Sequence, residues 1–242
     1  IKTLTMKIAL LGYGRMGQLI KEIALAQGHE VPVVIDQKLD HVDLSAIDVA
    51  IDFSTPESAF HNISLCAAQS VPVVCGTTGW LDQYEDAVAL CSKQGGLLYA
   101  SNFSIGVNIT FRINEILAQM MAYYPVYRAS ITEIHHTKKL DAPSGTAITL
   151  AQGIIDSGQY AQWQLAPNST NEQDLPISSI REGDVPGTHL VTYQNDIDTI
   201  ELKHTAHSRQ GFAHGAVMAA TWLVGKKGVY SMRDIIDNPI KP

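Results

Sequence analysis

The sequence predicts an α/β protein with an N-terminal doubly wound parallel sheet of the Rossmann type and a smaller α+β domain with a mixed sheet. Three observations predict it. Lys7–Leu11 is a short apolar run that stops at Gly12-Tyr13-Gly14-Arg15-Met16-Gly17, the pattern of a buried strand, a glycine turn and an opening helix. Strand and helix signals then alternate as far as Ala100, as stacked βαβ units require. Beyond Ser101 the strand signals lie closer together and alternate apolar with polar residues, which marks a mixed or antiparallel sheet.

After the glycine turn, Met16, Leu19, Ile20, Ile23, Ala24 and Gln27 fall mostly on one helical face, and Gly28 stands where a left-handed C-terminal cap is expected. Residues 31–35 are the next apolar run, with Asp36 at its end. In a G-x-G-x-x-G turn the first glycine permits the tight bend and the second lets a pyrophosphate approach the backbone. The third lets helix and strand pack closely, and phosphate lies on the helix N-terminus. An acid about twenty residues further on bonds the adenine ribose. Asp36 therefore favours NAD, while Lys38 could neutralise a 2′-phosphate, so both NADH and NADPH stay open.

Residues 48–53 read as a strand, and Thr55 as the N-cap of a helix with Pro56 at its first position and Glu57 in its first turn. A strand at 71–74 leads into Gly76-Thr77-Thr78-Gly79, a small-residue loop at the carboxyl end of a strand, where ligands sit in open α/β sheets. A helix at 81–93 and a strand at 97–100 complete the sheet. The polar loop Ser101-Asn102-Phe103-Ser104-Ile105-Gly106 follows, then a helix at 107–121 and strands at 128–135, 177–182, 188–193 and 199–204. Residues 157–176 read as a surface connection, and 211–226 as a well-buried helix that returns to the first domain. The expected division is 1–101 with 213–242 for the dinucleotide, and 102–212 for the second domain.

The 242 residues are 45% hydrophobic, enough to bury a real core. A net charge of −7 leaves no general basic field for nucleic acid or anionic lipid, so small molecules or other subunits are the expected partners. No apolar run approaches the roughly 20 residues that span a bilayer, and no secretory signal pattern is present. Cys66, Cys75 and Cys91 are too few and too irregularly spaced for a metal knuckle or a disulfide framework. They read as packing residues of a cytoplasmic protein. Met6 reads as the natural start, and residues 1–5 are set aside from the fold.

The densest polar run is Glu133-Ile134-His135-His136-Thr137-Lys138-Lys139-Leu140-Asp141-Ala142-Pro143-Ser144-Gly145-Thr146-Ala147. The apolar pattern that begins at Ala147 puts the Ser144, Gly145 and Thr146 amides at a helix N-terminus, which holds a carboxylate or phosphate. His136 and Lys139 can add charge-assisted bonds. Two anion-holding elements so close together suggest a substrate with two carboxylates, and His135 is suited to supply a proton near neutral pH. A metal site on His135 and His136 is not expected, because adjacent strand residues point to opposite faces.

These residues carry a resemblance. The run Glu133-x-His-His-x-x-Lys-x-Asp-Ala-Pro-Ser-Gly-Thr-Ala147, with Gly12-x-Gly-Arg-Met-Gly17, resembles the dihydrodipicolinate reductase family of bacterial lysine and diaminopimelate synthesis. Asp52-Phe-Ser-x-Pro56, Gly76-Thr-Thr-Gly79, Ser101-Asn-Phe-Ser-x-Gly106, Arg181-Glu-Gly-Asp-x-Pro-Gly-x-His189 and His204-x-Ala-x-Ser-Arg209 extend it over nearly the whole chain. The resemblance implies an oxidoreductase in which NADH or NADPH delivers hydride to C4 of a cyclic imine dicarboxylate derived from 4-hydroxy-tetrahydrodipicolinate.

By position it implies that His135 protonates the resulting enamine, that Lys139 assists catalysis and binds substrate, and that His136, Ser144, Gly145 and Thr146 hold carboxylates. The cofactor would lie against Gly12, Tyr13, Gly14, Arg15, Met16, Gly17 and Asp36, with its nicotinamide end near Gly76, Thr77, Thr78, Ala100, Ser101, Asn102 and Phe103. It further implies a homotetramer assembled through the second domain's sheet, and two hinges that allow closure over substrate. The segment between Asp36 and Asp48 is shorter than in the larger members. The competing readings are an NAD(P)-dependent dehydrogenase of another amino or hydroxy acid, and a non-catalytic NADH sensor. The sensor is opposed by the lack of a DNA-binding motif.

Overall fold

The computed structural model describes residues 5–36, 42–168 and 171–239. Two compact units emerge, one formed by the chain up to Ile105 and from Gln210 onward, the other by Gly106–Arg209. Lys38 and residues 1–4 lie outside the described residues.

In the first unit β1 (Lys7–Leu11) is buried from Ile8 to its end. Its period of two sends Ile8 and Leu10 into one apolar cluster and Ala9 and Leu11 into another. That is why the run is continuously apolar rather than alternating: both faces of the sheet are covered. α1 (Arg15–Ala26) buries Gly17, Ile20, Ile23 and Ala24, and Gly28 takes the expected left-handed conformation with φ +83°.

β2 (Glu30–Ile35), β3 (Val49–Asp52), α2 (Pro56–Ala68), β4 (Val73–Cys75), a 3-10 turn at Leu81–Gln83, α3 (Tyr84–Gln94) and β5 (Gly96–Tyr99) follow. Thr55 is the N-cap of α2 and Pro56 its first residue, although the Thr55 hydroxyl makes no capping bond. Cys66, Cys75 and Cys91 are free, buried thiols in the cluster beneath α2 and α3, so they pack as expected.

In the second unit α4 (Ile105–Met121) leads to β6 (Arg128–His135), α5 (Gly145–Ile155), β7 (Gln162–Leu165), β8 (Asp174–Arg181), β9 (Gly187–Gln194) and β10 (Thr199–Ala206). The five strands run in the order β10-β9-β6-β8-β7. β6, β8 and β7 are mutually parallel, while β9 pairs antiparallel with β6 and β10. Strand β7 corrects the reading of 157–176 as plain connection. It is a half-buried edge strand of four residues, Gln-Trp-Gln-Leu, with one partner, too short and polar to register as periodicity. α4 and α5 cover one face of the sheet through Ala118, Met121, Ala147, Leu150 and Ile154, against Ile131, Ile177, Val191 and Tyr193.

The chain then returns to the first unit as α6 (Gln210–Leu223), β11 (Gly228–Tyr230) and α7 (Met232–Asp237). α6 is rich in small residues on its buried face: Ala213, Gly215, Ala216, Ala219 and Ala220. A Cβ on Gly215 would collide with the Phe103 carbonyl. The six parallel strands run β11-β5-β4-β3-β1-β2. Their order reverses between β1 and β3, which opens a crevice at the carboxyl ends of these two strands.

Candidate active site

The crevice of the first unit is built by glycines. Gly12 has φ +97°, and a Cβ there would collide with the Phe53 carbonyl at the end of β3. A Cβ on Gly17 would collide with the Gly12 carbonyl, whereas one on Gly14 would meet nothing within 4 Å. The three positions therefore serve as bend, open approach and close packing. Gly14 caps α1 with no side-chain bond, and the first turn holds no acid, so the helix amides there face no resident carboxylate.

A cleft of about 220 Å³ is lined by Gly12, Tyr13, Gly14, Asp36, Phe53 and Ser54, among others. Asp36 also accepts the Tyr13 amide at 3.1 Å, so the acid that ends β2 braces the glycine turn. An open glycine over uncapped helix amides, with an acid at the next strand end, fits a dinucleotide.

The loop after β4 is fixed from below by Asp52, which is fully buried. Its carboxylate accepts the Thr77 hydroxyl at 2.6 Å, the Asn62 amide at 2.7 Å and the Ser54 hydroxyl at 2.8 Å. Burial pushes its pKa up, and those hydrogen bonds oppose the rise. Thr77 is buried, and its hydroxyl also accepts the Ser54 amide at 2.9 Å. The side chain is thereby committed to the loop itself, while Thr78 is exposed. A Cβ on Gly76 would strike the Phe53 ring. Phe103 is buried against Phe53 at 5.6 Å between ring centroids, whereas Ser101 is exposed.

In the second unit, β6 points Ala129, Ile131, Glu133 and His135 to one face. The first two enter the core and the last two form its polar end. Register brings further polar residues beside them: His189 lies opposite Glu133 on β9, and Arg181 opposite His135 on β8. Glu133 is fully buried. One of its oxygens accepts Arg181 Nη2 at 3.1 Å and the other accepts the Ser144 amide at 3.0 Å. Oε2 also lies 3.5 Å from His135 Nδ1 and 3.8 Å from His189 Nε2. Burial works to raise the Glu133 pKa, but the hydrogen bonds from Ser144 and Arg181 outweigh it and hold the carboxyl below its usual range.

Burial pushes His135 down, Glu133 draws it up, and Lys139 and Arg181 add to the fall. His189 is pushed down to about 4, first by burial and then by His135. It is therefore neutral near pH 7, which suits its 3.2 Å contact with the Ser144 hydroxyl. The ligating atoms of Glu133, His135 and His189 fall within 4.8 Å of one another. With Arg181 on one carboxylate oxygen and an amide on the other, the trio does not fit a metal centre.

Ser144 is the N-cap of α5 and accepts the Ala147 amide at 3.2 Å. Its amide and hydroxyl oxygen thus also serve the fold, joining the start of α5 to Glu133. Gly145 is exposed, and a Cβ there would meet nothing within 4 Å. No acid stands in the first turn of α5. His136 is half-buried beyond the strand end, its amide donating to the Val185 carbonyl at 2.9 Å. Lys139 Nζ is held by both Asp141 oxygens, at 2.7 and 2.8 Å. Arg181 donates to the Asp141 carbonyl at 2.7 Å and so ties this loop to Glu133.

Sequence reasoning assigned no role to Glu133, Arg181 or His189. The two-residue spacing of Glu133 and His135 was a readable signal, since it puts them on one strand face. The other two depend on cross-strand register.

Comparison with known proteins matches the C-terminal domain of dihydrodipicolinate reductase over residues 106–236 and its N-terminal domain over residues 24–103. The chain is 51% identical over 240 residues to 4-hydroxy-tetrahydrodipicolinate reductase of Christiangramia forsetii, covering 98% of this chain and 100% of that protein. It is similar in structure to the dipicolinate-bound dihydrodipicolinate reductase from Paenisporosarcina sp. TG-14, with a TM-score of 0.79 and 26% identity over 96% of this chain and 100% of the other. An engineered D-amino acid dehydrogenase shares the fold at a TM-score of 0.53 and 14% identity, over 98% of this chain and 100% of the other.

Proposed function

Because the chain belongs to the dihydrodipicolinate reductase family, we propose that its two units divide one reaction between them. The protein is an NAD(P)H-dependent oxidoreductase that reduces 4-hydroxy-tetrahydrodipicolinate in lysine and diaminopimelate biosynthesis. The 4-hydroxyl leaves as water to give an unsaturated cyclic imine dicarboxylate, and NAD(P)H when bound would supply the hydride to its C4.

Gly12, Gly14 and Gly17, with the amides of Arg15 and Met16 at the start of α1, hold the pyrophosphate, and Tyr13 and Asp36 flank the adenosine end. The loops at 76–78 and 100–103 border the nicotinamide. Gly145 and Thr146 at the start of α5 receive one carboxylate, and His136 and Lys139 the other. Ser144 opens that helix and offers its hydroxyl to the carboxylate received there. His135 gives a proton to the ring carbon of the enamine left by hydride addition. The relative from Paenisporosarcina is bound to dipicolinate, itself a dicarboxylate, which supports two anion-holding elements.

The observation that carries this reading is that His135 and the start of α5 meet on one Glu133 oxygen, at 3.5 and 3.0 Å. A proton donor and an anion cradle are thereby adjacent. Mixing the protein with NADH or NADPH and substrate generated in place from pyruvate and aspartate semialdehyde should consume the reduced cofactor. No consumption of either would sink the reading.

The protein is further read as a cytoplasmic homotetramer without nucleic-acid or membrane partners. Among the described residues no helix is long and apolar enough to cross a membrane. The face of the five-stranded sheet away from α4 and α5 leaves Ile180 42% exposed, which supports subunit contact there. Light scattering during gel filtration tests the assembly, and a monomer would count against it.

A further inference from the structure

The family reaction needs a proton donor held at a fixed distance from the substrate's carboxylates, and neither His135 nor the start of α5 can supply that spacing alone. They stand on different elements, and the loop between them carries exposed residues such as Leu140, 97% exposed. We infer that Glu133 is the positioning residue of the reaction: through one buried carboxylate oxygen it holds both the Nδ1 side of His135 and the amide that opens α5. The inference rests on the reading of His135 as the proton donor.

Burying a carboxylate completely is costly unless it is paired and hydrogen-bonded. Arg181 and the Ser144 amide meet that demand at 3.1 and 3.0 Å. Nδ1 of His135 is buried and makes no hydrogen bond, and Glu133 Oε2 lies 3.5 Å away. That separation becomes an ion pair only when the ring is protonated, and a movement of a few tenths of an ångström turns it into a hydrogen bond. A proton on Nδ1 is therefore favoured by the carboxylate. Nε2 is then the atom that delivers a proton to substrate, and it lies on the side of Gly187, where a Cβ would stand 3.1 Å from it. The carboxylate thus selects which nitrogen works, as second groups commonly do for histidine.

The charged and titratable groups around His135 are Glu133 on its own strand, His189 on β9, Arg181 on β8, and Lys139 and Asp141 on the following loop. Lys139 and Arg181 oppose protonation of His135, so Glu133 and Asp141 are the groups that sustain it. Glu133 is the buried one of the two.

The test is a titration of ¹⁵N-histidine-labelled full-length protein by NMR, with the His135 signals identified by their loss in His135→Asn. In Glu133→Gln the His135 midpoint should fall by roughly one pH unit, a tenfold change in the protonated fraction above that midpoint. Its neutral form should also become a mixture of the two tautomers. The kcat pH profile should lose its basic limb at correspondingly lower pH. A folded Glu133→Gln protein with an unchanged His135 midpoint and tautomer overturns the inference. If that variant does not fold, Glu133→Asp keeps the charge but withdraws it by one methylene. A lowered midpoint there supports the inference and an unmoved one overturns it. A near-normal rate for His135→Ala would instead remove the reading on which the inference rests, independently of the NMR result.

Discussion

Gly187 faces His135 so closely that a methyl group in place of its hydrogen would sit 3.1 Å from Nε2 and 3.3 Å from Cδ2 of the imidazole. Such a contact displaces the ring by a few tenths of an ångström. Gly187 also holds φ +157°, where an added side chain strains the backbone, so Gly187→Ala should lose some stability and, in the folded fraction, lower kcat roughly tenfold, because small misplacements of a reacting group are expensive. Steady-state assays give the answer, and an unchanged kcat would show that the ring has room.

Removing the imidazole asks more of the enzyme. His135→Ala should slow turnover by roughly 10²–10⁴-fold, the usual share of general acid catalysis, while cofactor binding measured by fluorescence stays intact. A loss of cofactor affinity of similar size would point to a folding defect instead.

Lys139 is held by a bidentate contact with Asp141, so on its proposed role an incoming carboxylate would compete with a carboxylate that is already there. Asp141→Asn should lower KM for substrate several-fold, and Lys139→Ala should raise it. If both variants raise KM alike, Asp141 is orienting Lys139 rather than competing with the ligand.

The glycine turn separates folding from binding. Gly12→Ala places a methyl group against the Phe53 carbonyl at a positive φ and should destabilise the protein by more than about 2 kcal/mol. Gly14→Ala has open space. It should keep the melting temperature of the parent but bind NADH and NADPH several-fold more weakly in paired titrations. Equal cofactor affinity in Gly14→Ala would mean that the pyrophosphate does not approach there.

His189 makes stability depend on pH in a definite direction. Its pKa is about 4 in the folded chain against an ordinary value of 6.5, so the unfolded chain takes up the proton first as pH falls. Its contribution is fully present above about pH 6.5, declines between 6.5 and 4 by roughly 3 kcal/mol, and is constant below. Urea unfolding of the parent and of His189→Gln across this range should show a shallower acid decline in the variant. Parallel curves would refute the assignment.

The strands that both units bury deeply were legible because burial dictates their composition. Lys7–Leu11 is continuously apolar and Arg128–His135 alternates, and both boundaries match the structure. What escaped was short or at an edge: β7, β11 and α7 each have at most six residues, too few to establish a period.

The polar run revealed which kinds of group were assembled, though not how each was used. Composition places Ser144 among the ligand groups, and only the structure adds that its amide donates to Glu133 and its hydroxyl accepts from Ala147. The Arg181 contact with Glu133 spans 48 positions. It exists because β8 runs parallel to β6 in one particular register, which no local pattern encodes.

The discontinuity of the first unit sets an order of events during synthesis. Ile51, Val74 and Leu98 share one cluster with Ala213, Ala216, Val217 and Ala220, and α6 packs on β3, β4 and β5, so strands made within the first hundred residues wait for a helix translated after the whole second unit. A nascent chain halted before Gln210 would have that sheet face covered only by α1, through Ile20, Ile23 and Ala24, with the rest of its apolar surface open to chaperones or to other chains. The second unit, whose residues are contiguous, has all its parts before the first is finished. The dinucleotide crevice, although encoded first, is thus the last part of the protein to gain its full support.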